Sequence, residues 1–234
     1  MGAIFRREVG SFFTSSIAYI FLSVFYVFSG FFFFTGTLQS STTDMSAMFS
    51  ALFLVVTFLI PILTMKLLSE EKRQKTDQAL LTAPVSLWSI VFGKYLAALV
   101  LYIIGISVVF VYGLILQYFG PVQWNAVVSN YFAMVLLGAA FIAVGVFISS
   151  MTENQMSSAV VSFLVLMILY MIDSIAASVS VGFIKAFLMS LSFYTRYFEF
   201  TIGIFNLSSV IFYLSVAFLF NFFTVRMLEK KRWS

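Results

Sequence analysis

Six stretches of the chain are apolar around the whole helical circumference, and the polar positions gather in short clusters between them. A helix needs about 20 apolar residues to cross a bilayer. That length marks 17–38, 47–68, 95–119, 129–150, 158–179 and 207–227 as spans. A soluble surface helix would be apolar on one stripe only, whereas these segments suit burial in lipid and in a bundle. Pro61 lies inside the second and predicts a kink, tolerated where neighbouring helices re-satisfy the backbone. Gly120-Pro121 stops the third. The pattern predicts an all-α membrane protein, with 1–234 as one transmembrane domain free of internal repeats.

Three segments fall outside the spans. In 1–16, Ile4, Phe5, Val9, Phe12 and Phe13 share a helical face, which predicts an N-terminal interfacial helix along the inner leaflet; a plain positively charged flank is the alternative. In 69–92, Ser69 suits an N-cap, Glu70 and Glu71 suit the first-turn dipole, and Pro84 ends the helix. The result is a charged helix of about three turns between spans 2 and 3, after which Ser86 caps the helix leading through Lys94 into span 3. A motor domain can push on such an element, although a solvated connector is the plainer reading. In 180–206, Lys185 and Arg196 bracket a run too short to cross, and Tyr194, Tyr197, Phe198 and Phe200 suit an interfacial belt. We expect an extracytoplasmic re-entrant or interfacial helical hairpin between spans 5 and 6.

Composition sharpens this picture. Hydrophobic residues make up 62% and charged residues 9%, with 31 Phe, and mean hydropathy is +1.07. An ordinary soluble domain is nearer half apolar and a quarter charged, so lipid must be the solvent here. The net charge of +4 does not point to nucleic acid, because the basic residues sit in clusters beside apolar runs. With the N-terminus inside, Arg6, Arg7, Lys66, Lys72, Arg73, Lys75, Lys94, Arg226, Lys230, Lys231 and Arg232 share one side, and Lys185 and Arg196 the other. The positive-inside rule then places both termini in the cytoplasm. Arg6 and Arg7 precede an apolar run without a small-x-small cleavage site, so a retained first span is expected rather than a signal peptide. Cys and His are absent. A zinc, copper or haem site is not expected, nor is acid–base or metal catalysis by this chain.

Isolated features have a sharp and a plain reading. Asp173 is the acidic residue within a predicted span, and an intramembrane carboxylate is a functional hypothesis by default. It lies about 24 Å along span 5, near the outer interface, where a hydrogen-bonded structural role is the plainer reading. Arg196 and Glu199 are spaced to pair across one turn, as an extracellular gate or a surface pair. Gly138, Ala139, Ala140, Ala143 and Gly145 give span 4 a small face, suited to close packing or to a contact between permease chains. The Phe31–Phe34 block reads as lipid-facing surface.

The run from Met65 through Glu70-Glu71-Lys72-Arg73 to Leu80-Leu81-Thr82-Ala83-Pro84, followed by Gly93-Lys94-Tyr95, resembles the ABC-2 permease family. It is similar in particular to the gliding-associated (Gld-type) and Nos-type permeases. Ile60-Pro61-Ile62-Leu63-Thr64-Met65 and the Phe147–Gln155 stretch are similar to family signatures too, and the likeness thins after about residue 170. Lys75 stands where the family usually has Gly, and Asp77-Gln78 where two Glu are common. The resemblance implies that the segment after span 2 is a coupling helix docking on a separate cytoplasmic ATPase. Its contact residues would be Glu70, Glu71, Arg73, Thr76, Leu80 and Leu81, with a second, smaller contact at Glu153. The chain lacks a Gly-x-x-x-x-Gly-Lys-Ser/Thr phosphate cradle, so ATP and Mg are expected in that partner and no cofactor in this chain. The implied assembly is an exporter of the bacterial cytoplasmic membrane. It would hold two ATPase copies and two permease protomers, as a homo- or heterodimer, with room for an extracytoplasmic or Gld-type accessory subunit. The alternative is a mechanotransmitting or anchoring component that moves an extracytoplasmic partner without transport.

Overall fold

The computed structural model describes residues 2–76, 85–203 and 205–233. Helix α1 spans Gly2–Thr14, and α2 spans Ser16–Phe33 and runs on as a π-helical turn over Phe34–Leu38. Helix α3 covers Ser46–Thr64 and α4 covers Ser69–Arg73. Leu87–Ile106 and Val108–Phe119 form α5 and α6, which together make span 3. Then come α7 (Trp124–Met151), α8 (Gln155–Ser178), α9 (Gly182–Ser190), α10 (Phe193–Thr201) and α11 (Leu207–Trp233). Six of these segments are long and apolar enough to cross a membrane, in the places the hydropathy predicts. Span 3 starts at Leu87, well before the expected residue 95, because hydropathy marks the lipid-immersed part while the hydrogen-bonded helix extends beyond it. Ser86 caps it as expected, its side chain accepting from the Ser89 N–H.

Span 4 is the axis of the bundle. In its apolar stretch 83% of residues are buried, against 67% for span 2 and 22% for span 5. Its small face explains this centrality: a Cβ added at Gly138 would lie 2.1 Å from Tyr102 Cε1, and one at Gly145 would lie 2.3 Å from Thr64 Oγ1. Ala139, Ala140 and Ala143 are buried along the same face. The face is therefore spent on packing within the chain, not on a contact between permease chains.

Tyrosines tie the elements together across the core. Tyr102 donates to the Met134 carbonyl at 2.8 Å, Tyr197 to that of Phe49 at 3.0 Å and Tyr213 to that of Phe193 at 2.7 Å. A buried hydroxyl must find a partner, and these find backbone carbonyls on neighbouring elements. Phe31 and Phe34 are exposed as the lipid-facing reading requires, while Phe33 turns inward and stacks on Tyr112 at 4.5 Å. Pro61 is accommodated inside α3, which continues to Thr64.

Two peripheral elements have surroundings that amphipathicity alone does not specify. The apolar side of α1 packs on the start of span 3: Phe12 is buried, Ile4, Phe5 and Val9 are partly buried, and Phe13 alone of the set is exposed. Gly93 allows that approach, since a Cβ there would lie 2.9 Å from Ile4 Cγ2. Between spans 5 and 6 the chain does form two short helices, but they have different surroundings. Helix α9 buries no residue, whereas α10 buries Phe193, Tyr197, Phe200 and Thr201 against spans 2, 4 and 5.

Gly138→Ala should lower thermal stability in detergent, by about 1–3 kcal/mol for an overpacked core site. Gly10→Ala, with nothing within 4 Å of the added Cβ, should leave it unchanged or raise it. Equal melting temperatures for Gly138→Ala and the unmodified chain would remove span 4 from the packed axis.

Candidate functional site

The segment after span 2 turns sharply. Helix α4 is only five residues long, too short to persist by propensity, so tertiary contacts must hold it. Leu68, not Ser69, is its N-cap, and the capping oxygen comes from another helix. Ser149, at the end of span 4, accepts from the Leu68 and Ser69 N–H groups at 3.1 Å each. Ser69 Oγ instead bonds back to the Met65 carbonyl, and Lys72 Nζ donates to the Ser150 carbonyl. Both serines are buried.

The far end of α4 is closed by a Schellman arrangement. Thr76 N–H bonds to Glu71 O at 2.9 Å and Lys75 N–H to Lys72 O at 3.0 Å. Lys75 sits between them at φ 57°, in the left-handed region where a side chain costs about 1–2 kcal/mol. This is the position at which the resembling family usually carries Gly, and the φ angle is the physical reason. Among the described residues the expected helix runs for little more than one turn before closing at Lys75, and the rest of it lies outside them. Leu80, Leu81 and Pro84 lie outside the described residues.

The two acidic residues of the motif turn inward. Lys94, on the first turns of span 3, has a side chain only 2% exposed, and its ammonium lies 2.8 Å from Glu71 Oε1 and 3.2 Å from Glu8 Oε1. Arg7 completes the network, 2.6 Å from Glu8 and 3.1 Å from Glu71. Two cations and two carboxylates thereby join α1, α4 and span 3. Glu70 is also buried; its Oε1 accepts from Arg73 at 2.8 Å and from Gln74 Nε2. Arg73, Gln74, Lys75 and Thr76 remain exposed, as does Glu153 in the link between spans 4 and 5. A cleft of about 450 Å³ opens between α1 and α4, lined by Arg7, Glu8, Lys66, Glu70, Glu71 and Lys94 among others. Sequence reasoning missed Arg7, Glu8 and Ser149; Gly93-Lys94 stood out only as part of a resemblance.

At the opposite end, Asp173 Oδ1 accepts from Thr195 at 3.0 Å, tying span 5 to α10. Arg196 and Glu199 do not pair as expected. Arg196 bonds to the Ser190 carbonyl at 3.2 Å and lies 4.3 Å over the Phe212 ring. Glu199 Oε2 accepts from Ser209 at 2.7 Å and Asn206 at 3.1 Å. These partners, before α10 for Arg196 and after it for Glu199, outcompete an i,i+3 contact worth a few tenths of a kcal/mol.

The family model of the ABC-2 family transporter protein matches residues 41–187. The matched region holds α4, Gly93-Lys94 and Ser149-Ser150, and it reaches beyond residue 170, where the likeness was expected to thin. Among curated proteins no match is found.

Lys94→Met should destabilise the chain by about 3 kcal/mol, the lower end of the range for breaking a buried ion pair. Adding Glu71→Gln to it should recover part of that loss, because a carboxylate is no longer left near-buried without its ammonium. Wild-type stability for Lys94→Met in a denaturation series would show that the network does not hold α4.

Proposed function

The chain belongs to the ABC-2 family of transporter proteins, and from that premise we propose that it is the permease half of an ABC exporter in the bacterial cytoplasmic membrane, driven by a separate ATPase. It is a multi-pass membrane protein and a transmembrane component of a transporter. Members of this family are generally non-catalytic, work with an ATPase subunit and dimerise.

The observation that carries the proposal is the way α4 is held. Ser149 caps it from span 4, and Glu71 clamps it to Lys94 of span 3. A force on its exposed surface is therefore delivered to two spans at once, through contacts that do not depend on a long helix. In this reading Arg73 and Thr76, with Glu153 beside them, meet the ATPase, while Glu70 and Glu71 keep the coupling helix in place. Leu80 and Leu81 extend the contact beyond the described residues. ATP and Mg belong to the ATPase, present in two copies on two permease protomers. Alternating access between those protomers moves the substrate outward. Asp173 serves as a structural hydrogen-bond acceptor at the outer end.

A second reading, mechanical transmission to an extracytoplasmic partner, is favoured by one feature. Helix α9 exposes Phe183 and Phe187, 84% and 58% respectively, on a helix with no buried residue. Such a helix suits an accessory subunit as well as lipid. ATP-dependent flux in proteoliposomes separates the two readings.

Arg73→Glu should leave the protein in the membrane, weaken co-purification with the ATPase and abolish stimulation of ATP hydrolysis. Full complex formation and full stimulation in both Arg73→Glu and Leu81→Asp would mean that this segment is not the transmission.

Orientation is open to labelling, because the chain has no native Cys. Asp44→Cys and Gln123→Cys should react with an impermeant thiol reagent in sealed cells, and Gln74→Cys and Asn154→Cys should not. External reaction of Gln74→Cys would invert the assigned topology.

A further inference from the structure

One face of span 6, a helix that lies beyond the residues matched by the family, carries two adjoining features apart from the coupling site. At its basic end a recess of about 280 Å³ lies between the start of span 3 and the end of span 6, lined by Trp88, Phe222, Arg226, Glu229 and Arg232 among others. Higher on the same helix, an open apolar groove of about 600 Å³ runs along Ile211, Leu214 and Phe218. Ile211, Phe218, Phe222, Arg226, Glu229 and Arg232 follow one another at near-helical spacing, so recess and groove form one stripe. Trp88 joins the two: its ring lies 6.1 Å from Phe222 and 6.2 Å from Phe218.

We propose that this stripe is a binding site for one anionic phospholipid, with the phosphate on Arg226 and Arg232 and an acyl chain along the groove. Three observations fit that occupant. The stripe from Phe218 to Arg232 rises about 21 Å, one leaflet of a bilayer 40–45 Å thick including its headgroups. Its apolar part is exposed, with Ile211 56%, Leu214 53% and Phe218 60% accessible. Its charged part is net positive: Glu229 pairs with Arg226 at 2.6 Å, and Arg226 also lies 5.1 Å over Phe222, which fixes the guanidinium at the mouth of the recess. Basic recesses between transmembrane helices are suited to anionic headgroups, and a tryptophan at this level anchors to the interface. A second copy of the chain fits less well, because it would desolvate both arginines against the same basic patch. Free phosphate would use the recess and leave the groove unexplained.

The test uses the full chain purified in mild detergent, measuring thermal stability with added phosphatidylglycerol, phosphatidylcholine of the same acyl chains, or inorganic phosphate. Native mass spectrometry counts bound lipid. We expect one phosphatidylglycerol per chain and a rise in melting temperature with that lipid, but not with phosphatidylcholine or phosphate. In Arg226→Gln/Arg232→Gln the preference should fall about 30-fold, at about fivefold per basic residue. Its melting temperature in phosphatidylcholine should stay that of the unmodified chain, which shows that the variant folds. Phe218→Ala should weaken binding of both lipids without changing the preference. Equal stabilisation by the two lipids, a preference that survives in the double variant, or stabilisation by inorganic phosphate alone would overturn the proposal. So would loss of a dimer in the double variant, since the stripe would then be an interface between copies.

Discussion

The buried ammonium of Lys94 is the constraint around which this end of the molecule is built. A charge 98% removed from solvent at the foot of a membrane span cannot stay unpaired, and desolvating it costs several kcal/mol unless carboxylates come to it. Two do, from opposite directions in the chain. Glu8 arrives on α1 and Glu71 on α4, so both flanking segments are drawn onto the start of span 3. Arg7 balances the second carboxylate. Gly93 is part of the same solution, because α1 reaches Lys94 only by passing over a residue without a side chain.

This arrangement fixes a very short helix firmly to the bundle. Five residues cannot hold a helix against fraying, and one of the α4 ends is closed by a lysine in a left-handed conformation. Rigidity therefore has to come from outside: from the Ser149 hydroxyl at the N-terminus, from the Ser150 carbonyl on Lys72, and from Lys94. Spans 3 and 4 are tied to the same element. Span 4 is in turn locked to spans 2 and 3 where Gly145 meets Thr64 and Gly138 meets Tyr102. A displacement of α4 consequently reaches the packed axis before it reaches the lipid-facing spans.

The spans were legible in the sequence because burial in lipid leaves a signal that no neighbour can mask. Hydropathy depends on local composition, and six uninterrupted apolar runs admit few alternatives. The Ser86 cap was legible for the same local reason. Pairings were not. Glu71 looks like a solvent-facing first-turn residue until Lys94, 23 positions later, is brought beside it. Ser149 looks like one polar residue in a helix end until the helix break at Leu68 presents two free N–H groups to it. Arg196 and Glu199 show the opposite error: local spacing suggested a pair, but Arg196 bonds back to the Ser190 carbonyl and Glu199 forward to Asn206 and Ser209. The apolar face of α1 was legible as a face, but its contact with span 3 was not, since amphipathicity does not name the surface that a face packs on.

The packing also bears on where a passage can lie. Side chains fill the axis of the single chain: Phe53 contacts Phe141, Tyr170, Tyr194 and Tyr197, and Tyr102 seals span 3 against span 4. Opening a route there would break buried tyrosine hydrogen bonds and part close glycine contacts, each costing on the order of 1 kcal/mol or more. The lipid-facing sides of spans 1, 5 and 6 carry less of this penalty, since at most about a third of their apolar stretches is buried. A permease that must open and close repeatedly does so most cheaply between weakly committed faces. The packing of this core therefore makes the lipid-facing sides of spans 1, 5 and 6, and not the axis, the surfaces that part at the lowest cost.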